Sequence, residues 1–234
     1  GLSCEIWSPS LMRKPDRHNE IEINYFPKGG ITYLFQGNKV TVPSKKLTIF
    51  WGLIPHQIID FKSDNPYYVC TVPFSVFLEW KLSAPFVDSL LKGEVLFDAS
   101  EDHSSYDEFL INNWLKDINE GGSPEVALLE IHARLRRMSI GNLSSEKKEH
   151  TSLQSNEISQ VERIAIFIAQ NYFDPIKVSD IGHAVGLHPD HANSIFKKTF
   201  GSTLSEYITE ERISHAQRQL VSTDKSITDI VFDC

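Results

Sequence analysis

The first third of the chain alternates polar and apolar positions with a period of two. In the run HNEIEINYF (18–26), polar side chains occupy every second position, and isoleucines and a tyrosine occupy the others. Similar short runs follow at 31–42, 47–52, 56–61 and 67–74. Because neighbouring side chains of a strand point to opposite faces, the pattern predicts short antiparallel strands. Their Gly and Pro punctuation is typical of a barrel or jelly roll, and Gln36-Gly37-Asn38 predicts a tight turn.

From Ser104 the period changes to 3.6, which is the period of a helix. One apolar stripe ends at Gly121-Gly122 and contains Tyr106, Phe109, Leu110, Trp114 and Leu115. Ser123 and Pro124 then begin a second helix, as N-cap and first helical residue. Its apolar stripe contains Ala127, Leu128, Ile131, Leu135 and Met138. The two helices predict an αα-hairpin that covers the barrel or pairs with a second subunit.

Residues 141–156, GNLSSEKKEHTSLQSN, are polar and contain Gly, Ser and Asn, which predicts a flexible linker. Helical periodicity then continues to the end of the chain. We therefore expect an α+β protein of two domains. An antiparallel β-barrel with its αα-hairpin would occupy 1–140, and an all-α domain would occupy 157–234.

Composition narrows the class of protein. Of the 234 residues, 41% are hydrophobic and 23% are charged, which is ordinary for a soluble globular protein. No run of about 18 apolar residues and no signal-peptide pattern is present, so neither a membrane span nor secretion is expected. The odd number and wide spacing of Cys4, Cys70 and Cys234 favour reduced thiols in the cytoplasm. A net charge of −8 argues against non-specific affinity for nucleic acid, so any contact with DNA must be local.

Residues 178–201, VSDIGHAVGLHPDHANSIFKKTFG, have the pattern of a helix-turn-helix. Such a unit requires a small residue where its helices approach, a turn residue with positive φ, and apolar residues at fixed core positions. Gly182 fills the first position and Gly186 fills the second. The core positions hold Ile181, Leu187, Ala192 and Ile195. Pro189 begins the second helix, where its missing N–H has no cost.

The second helix of this unit would enter the major groove of DNA. The side chains that would reach bases or phosphates are Asp190, His191, Asn193, Ser194, Lys197 and Lys198. Asn can bond an adenine edge through both amide atoms, Asp can accept from cytosine, and Lys can reach guanine or phosphate. From Glu157 onward, however, eleven acidic residues outnumber seven Lys and Arg. Because phosphate contacts supply much of DNA affinity, we expect this domain to bind weakly in isolation.

An imperfect internal repeat predicts a second unit of the same kind. ITDIVFDC from Ile227 parallels VSDIGHAVG from Val178, and a long predicted helix, LSEYITEERISHAQRQLV, lies between them. The chain stops at Cys234, one residue before the counterpart of the turn glycine Gly186. We therefore expect the second unit to lack its recognition helix.

The segment IFKKTFGSTLSEYITEERISHAQRQLVSTDKSITDIVFD resembles the AraC/XylS family of bacterial transcription regulators. The resemblance covers residues 158–234 and implies two helix-turn-helix units on one linking helix. The family usually has Ala at Gly182, a bulkier residue at Ala192 and Arg at Ser194; the last difference removes one expected contact to phosphate or base. The resemblance also implies a cupin-like sensor in the first domain and a homodimer interface on the αα-hairpin.

A metal site is one interpretation of the sensor domain. Cupins commonly bind a metal through His-x-His-x(3,4)-Glu on one strand and a later His. The corresponding positions are Asp16, His18, Glu22 and His56, so the first His is replaced by Asp. His18 and Glu22 share a strand face, and His56 could converge on them from a facing strand. Two imidazoles with one or two carboxylates suit zinc, nickel, manganese or iron.

Two other interpretations of these polar residues stay open. They could line a pocket for an organic ligand, or they could make structural hydrogen bonds only. Glu20 and Asn24 lie on the same strand face and could bond the hydroxyls of a sugar. Trp51 and Trp80 could stack on a sugar face or belong to the core.

The leading interpretation is a ligand-responsive transcriptional regulator, an activator or repressor, in the cytoplasm. A small molecule, expected to be a sugar, would bind the barrel and alter how a homodimer presents its helix-turn-helix units to promoter or operator DNA. One alternative is a metal-dependent cupin enzyme with a helical appendage, and another is an interaction module that has lost DNA recognition. No nucleophile elbow, phosphate-binding loop or HExxH motif is present, so we do not expect an enzyme. The only cofactor that the sequence pattern suggests is a divalent metal in the barrel.

Overall fold

The computed structural model describes residues 1–35, 38–100, 103–141, 143–145, 160–222 and 226–232. The predicted turn at Gln36-Gly37, most of the predicted linker and Cys234 lie outside these ranges. Contacts divide the chain into two compact units, 1–157 and 158–234. No helix of the described ranges is long and apolar enough to cross a membrane.

Six of the nine described strands of the first unit follow the runs that alternate with a period of two. The strands at Ser3–Trp7, Leu96–Asp98 and Leu143–Ser145 were not predicted, and the last of them lies within the predicted linker. The nine strands are β1 (Ser3–Trp7), β2 (Glu20–Tyr25), β3 (Ile31–Phe35), β4 (Asn38–Val42), β5 (Leu47–Trp51), β6 (His56–Phe61), β7 (Tyr67–Pro73), β8 (Leu96–Asp98) and β9 (Leu143–Ser145). The helices of this unit are α1 (Phe74–Glu79), α2 (Ala84–Leu91), α3 (Ser104–Asn119) and α4 (Pro124–Ile140).

The strands form two antiparallel sheets. Six strands pair in the order β1-β7-β2-β5-β8-β9, and three pair in the order β4-β3-β6. Strands that are distant in the chain are neighbours in the larger sheet, as in a jelly roll. The prediction of an antiparallel β-domain is confirmed, but its described strands form two sheets and not one closed barrel.

The inner faces of the two sheets meet through aromatic rings. Phe50 of β5 lies edge to face with Phe35 and Tyr33 of β3, at centroid distances of 5.0 and 5.8 Å. Glu22 of β2 is the direct cross-strand partner of Phe50, so it shares this face. The polar row predicted for β2 therefore points into the interior between the sheets.

The outer face of the larger sheet is covered by helices. Trp51 is fully buried there and stacks on Phe74 of α1, with ring centroids 4.5 Å apart. Cys4 and Cys70 are direct partners in the β1–β7 pair, and both are buried free thiols. The Cys4 thiol donates to the carbonyl oxygen of Ile111 in α3 at 3.9 Å. Both faces of β2 are thus buried, one by the second sheet and one by helices.

Helices α3 and α4 form the predicted αα-hairpin, with Ser123 at the N-cap position, although its side chain makes no capping hydrogen bond. Leu110, Ile111 and Trp114 form the buried side of α3. Tyr106 and Phe109, which the apolar stripe included, are 43% and 62% exposed. The reason is that the sheet contacts the helix on one side only, and these two residues lie on the other.

A buried ion network ties the hairpin to the sheet. Arg134 of α4 is 1% exposed, and its guanidinium donates to both carboxylate oxygens of Asp107 in α3, at 2.6 and 3.0 Å. It also donates to the carboxylate of Asp98 at the end of β8. This cation satisfies two buried carboxylates on two different elements, which sequence periodicity did not predict.

The second unit contains the helices predicted after the linker. They are α5 (Gln160–Asn171), α6 (Val178–Val185), α7 (Pro189–Phe200), α8 (Leu204–Ser222) and α9 (Ile227–Phe232). Helices α5, α6, α7 and α8 share one hydrophobic core. It is formed by Ile164, Ile168, Tyr172, Ile181, Val185, Ala192, Phe196, Leu204, Tyr207 and Ile208. This unit therefore has its own hydrophobic core.

Candidate functional site

The first candidate site is a polar cluster between the two sheets. His18 precedes β2, and its ring hydrogen-bonds through Nδ1 to Glu20 at 3.1 Å and through Nε2 to Glu22 at 2.9 Å. His56, the first residue of β6, places its Nε2 3.8 Å from the same oxygen of Glu22. Glu22 thus lies between two imidazoles from opposite sheets, as the shared strand face predicted.

The backbone determines which nitrogen of His56 faces the cluster. Its Nδ1 lies 2.9 Å from the carbonyl oxygen of Ile54, a contact in which the imidazole must donate. A neutral His56 therefore presents the lone pair of Nε2 towards Glu22. A carbonyl partner of this kind commonly fixes the tautomer of a ligand-binding histidine.

Asn24 and Tyr33 extend the cluster deeper into the interior. The Nδ2 of Asn24 donates to Glu22 at 2.9 Å and to the hydroxyl oxygen of Tyr33 at 3.0 Å. The other amide atom, Oδ1, is buried and has no hydrogen-bond partner among the described residues. Tyr33 was not predicted, because in the sequence it belongs to an apolar strand and nothing local marks its hydroxyl as functional.

Gly52 allows His18 to occupy its place. His18 and Gly52 extend the β2–β5 ladder, since the His18 N–H donates to the Gly52 carbonyl and the Gly52 N–H donates to the Glu20 carbonyl, at 3.0 and 2.8 Å. A Cβ at residue 52 would overlap the imidazole ring of His18. Gly52 was also missed from sequence, although a glycine directly after a buried strand often marks such a close approach.

Burial and charge shift the pKa values of His18 and Tyr33 in the cluster, and the contact with His18 helps to lower that of Glu20. Burial lowers the pKa of His18, but the hydrogen bonds and charges of Glu20 and Glu22 outweigh burial and raise it to about 10. Burial, together with the charge of Glu22, raises the pKa of Tyr33 well above its usual range. In the folded protein His18 is therefore an imidazolium that donates to both carboxylates, and Tyr33 keeps its proton.

The cluster has the donor set of a metal site. One ligand atom from each of His18, Glu22 and His56 lies within 4.8 Å of the others. Asp16, the fourth predicted ligand, bridges His56 through backbone hydrogen bonds, but its side chain is exposed and accepts from the Arg17 N–H at 2.8 Å. The three remaining side chains fit a divalent metal that completes its shell with water or ligand, provided that His18 gives up its Nε2 proton when the metal binds.

The two tryptophans do not belong to the cluster. Trp51 is the cross-strand partner of Ile21 and therefore lies on the helix-covered face of the sheet, opposite Glu22. Its indole N–H donates to Asn19 at 3.3 Å, and its ring has no exposed surface on which a sugar could stack. Trp80 stacks on His132 of α4 with ring centroids 4.8 Å apart. Both tryptophans therefore pack within the fold, as in the alternative prediction that they belong to the core, and neither lines the cluster.

The second candidate site is the helix-turn-helix. Gly186 ends α6 in the left-handed region at φ 72°, as predicted for the turn. A Cβ at Gly182 would lie 2.8 Å from the Leu187 carbonyl oxygen and 3.1 Å from the Pro189 nitrogen. The helices thus approach at the predicted position, and so closely that Ala there would require the turn to shift.

Helix α7 presents a polar face to solvent. Five of the six predicted DNA-contacting residues are exposed: Asp190, His191, Ser194, Lys197 and Lys198. Their spacing of three and four residues places them on one side of the helix. His188 is the N-cap, and its Nδ1 accepts from the Asp190 N–H at 3.3 Å. This face has the geometry of a recognition helix.

Asn193 is the exception among the six residues. It is half-buried, and its Oδ1 accepts from the Leu204 N–H at the start of α8, at 2.9 Å. Adenine recognition by Asn requires both amide atoms at the base edge. One of the two atoms is already bonded within the protein.

Known proteins share this C-terminal unit. Residues 181–234 match the family described as a helix-turn-helix domain. The crystal structure of the AraC-like transcriptional activator CuxR matches the fold with a TM-score of 0.56 at 12% identity, covering 86% of this chain and 68% of that one. Over 70 residues, 30% of this chain and 25% of the relative, the chain is 34% identical to the lactose operon transcription activator of Staphylococcus xylosus. The C-terminal unit is thus similar to the helix-turn-helix domains of transcriptional regulators, and the fold of the chain resembles that of an AraC-like activator.

A longer relative extends the likeness to the first unit. The chain is 28% identical over 237 aligned positions to the melibiose operon regulatory protein of Escherichia coli (strain K12). The alignment covers 98% of this chain and 78% of that protein. The chain is thus homologous to this regulator through both units.

Proposed function

We propose that this regulator binds a small organic effector, a sugar, in the polar cluster and thereby changes how α7 is presented to promoter or operator DNA. The names of two relatives refer to melibiose and lactose operons. The cluster supports a sugar because carboxylates, imidazoles and an amide offer both donors and acceptors to hydroxyl groups. The proposed domains are the sensor at 1–140 and the DNA-binding domain at 157–234, joined by a linker at 141–156 in which residues Leu143–Ser145 still pair with β8 as strand β9. A DNA-binding function also supports a cytoplasmic location.

The observation that carries this proposal is the unpartnered Oδ1 of Asn24. A buried acceptor without a partner costs about 1–3 kcal/mol. A hydroxyl of a bound ligand would satisfy it and would contact Glu22 beside it. His18 and Glu20, at 25% and 22% side-chain exposure, are members of the cluster that solvent reaches, so they mark the side from which a ligand would enter.

A divalent metal is the second candidate occupant, and the convergence of His18, Glu22 and His56 supports it. A metal would use the Nε2 lone pair of His56 and a carboxylate oxygen of Glu22 as ligands. If the metal also bound and converted a substrate, the unit would be a cupin-type enzyme. The regulator family favours sensing over catalysis.

Thermal unfolding against a panel of mono- and disaccharides, with and without a chelator, tests both occupants. All four tryptophans lie in the first unit, so their fluorescence follows its unfolding alone. A sugar at 100 times its Kd should stabilise this unit by about 2.7 kcal/mol. The stabilisation should disappear in His18→Ala and Glu22→Ala but persist in Glu5→Ala, which removes an exposed carboxylate of β1.

Each result has a distinct meaning. Stabilisation by a sugar that chelator does not affect supports the effector pocket. Stabilisation by a metal that chelator abolishes, together with turnover of a substrate, would support the enzyme. If neither a sugar nor a metal stabilises the unit, the cluster is structural and the proposed sensor is wrong.

A homodimer formed through the αα-hairpin is part of the proposal. Phe109 on α3, and Val126, Leu129 and Ile140 on α4, are 62, 45, 62 and 79% exposed. Exposed apolar residues at helical spacing are typical of a contact between two helical surfaces. Sedimentation equilibrium should show a dimer that Leu129→Glu converts to a monomer. An unchanged mass would place the interface elsewhere.

A further inference from the structure

We propose that Asn193 is a positioning residue, which holds the recognition helix α7 against α8, and that it is not a base-reading residue. The inference rests on the proposed DNA-binding role of α7. It assigns a role different from that of the five exposed side chains around Asn193. Asn193 would act on DNA only through the orientation of the two helices.

The N-terminus of α8 shows why this contact is needed. The first N–H groups of a helix have no partner within the helix. Thr203 and Glu206 form a reciprocal pair: the Glu206 carboxylate accepts from the Thr203 N–H at 2.7 Å, and the Thr203 hydroxyl oxygen accepts from the Glu206 N–H at 3.3 Å. This pair does not satisfy the Leu204 N–H. That N–H instead donates to Oδ1 of Asn193, at 2.9 Å. One cap of α8 therefore comes from another helix.

The surrounding packing makes this cap a joint between two helices. Only residues 201–203 connect α7 to α8, and Gly201 turns the chain at φ 80°. Phe196 and Phe200 of α7 pack on Tyr207 of α8, at centroid distances of 5.0 and 5.7 Å. Aromatic contacts alone allow the helices to slide and rotate, whereas a hydrogen bond fixes one point of their crossing.

The burial of Asn193 agrees with this role. Its neighbour Ser194 is exposed, as are Lys197 and Lys198 further along the helix, while Asn193 is half-buried beside the start of α8. Reading adenine would require Asn193 to release the Leu204 N–H, which is a buried donor with no other partner among the described residues. The geometry thus opposes base reading at this position.

Three variants of the full chain separate the two roles. Asn193→Asp keeps the acceptor for the Leu204 N–H and removes the amide donor that adenine requires. Asn193→Ala removes both. Ser194→Ala is the matched control, because it changes the adjacent exposed residue of the same helix.

The first readout is hydrogen exchange of the Leu204 amide, followed by NMR. Asn193→Ala should increase the exchange rate about fivefold or more, as expected for the loss of one hydrogen bond. Asn193→Asp and Ser194→Ala should leave it within about twofold. An unchanged rate in Asn193→Ala would show that the side chain does not hold α8, and the proposal would be wrong.

The second readout is base preference, obtained by selection from a pool of randomised DNA duplexes at low salt. Asn193→Ala should weaken binding by a similar factor for every selected sequence, and Asn193→Asp should select the same bases as the parent. A loss of preference for adenine at one position in both variants would instead identify Asn193 as a base reader. If the parent selects no sequence, the proposed DNA-binding role of this chain fails, while the exchange measurement still decides the role of Asn193.

Discussion

Strand β2 and helix α7 both carry a row of polar side chains at the spacing of their own element, yet the two rows have opposite surroundings. Glu22 and Asn24 of β2 are 7% and 0% exposed and bond to residues of two other strands. Asp190 and Lys197 of α7 are exposed, and their element is held in the core by Ala192 and Phe196 on its other side. The first row is an interior network, and the second is a surface available to a partner.

The difference matters for what a substitution does. In an interior network each polar group is the partner of another, so the loss of one leaves others buried and unsatisfied. On an exposed face, water replaces any lost partner. We therefore expect changes in the first unit to alter stability and changes on the face of α7 to alter binding.

The largest effect is expected at the buried cation Arg134. Arg134→Met leaves the carboxylates of Asp98 and Asp107 without their shared partner, which should lower the free energy of unfolding by about 3–5 kcal/mol. Urea unfolding followed by tryptophan fluorescence measures this change. Arg137→Met, an exposed arginine on the same helix, should change stability by less than about 0.5 kcal/mol. If both variants lost the same free energy of unfolding, the burial of Arg134 would not explain its contribution to stability.

The next largest effect is expected at Glu22, the centre of the polar cluster. Glu22→Ala removes the acceptor of His18 and of the Asn24 amide, and should lower the free energy of unfolding by about 2–3 kcal/mol. The same urea experiment, with Glu5→Ala beside it, provides the measurement and its control. A Glu22→Ala protein as stable as the parent would show that the cluster is not a cooperative network.

A smaller effect is expected at Gly52, where the side chain of His18 approaches the backbone. Gly52→Ala places a methyl group where the imidazole ring lies, which should cost about 1–3 kcal/mol and move His18 away from Glu22. Differential scanning calorimetry measures the loss of stability. Any ligand that stabilises the parent through His18 should stabilise this variant less, whereas Gly1→Ala, which meets nothing within 4 Å, should behave as the parent does.

The pH dependence of stability distinguishes a buried charge from an exposed one. Burial alone would raise the pKa of Asp98, but His103, the Ser100 N–H and Arg134 lower it below its usual 3.8. A group with a lowered pKa stabilises the fold above its unfolded pKa, and this contribution is lost as the pH falls through its folded pKa. The first unit should therefore lose stability below about pH 5. In Asp98→Asn the loss of stability at low pH should be smaller than in the parent. An identical pH profile would show that the charge of Asp98 in the Arg134 network does not stabilise the fold.

The smallest effect on stability is expected on the exposed face of α7. Lys197→Ala should change the free energy of unfolding by less than about 0.5 kcal/mol. If Lys197 contacts phosphate, the dependence of log K on log salt concentration should become shallower by about one in slope. Binding isotherms at several salt concentrations measure this slope. Destabilisation without any change in slope would place Lys197 in the fold instead of the interface.

The sequence by itself determined the order of elements and which residues share a face. Backbone geometry sets the periods of two and 3.6, so His18, Glu22 and Asn24 could be grouped before the fold was known. The turn glycine Gly186 and the small residue Gly182 were also predictable, since a positive φ and a close approach each restrict the residue type.

Only the tertiary structure decided where each face lies and what it contacts. The alternation in β2 is compatible with an exposed polar face, and burial of that face depends on β3 and β6, which bring Tyr33 and His56 from the other sheet. Trp51 was a candidate for the cluster because its indole could stack on a sugar face, but its register with Ile21 places it on the opposite face. Asn193 shares its helix with the exposed residues, yet α8 covers it. Periodicity describes one element, whereas burial and hydrogen bonding depend on the elements packed against it.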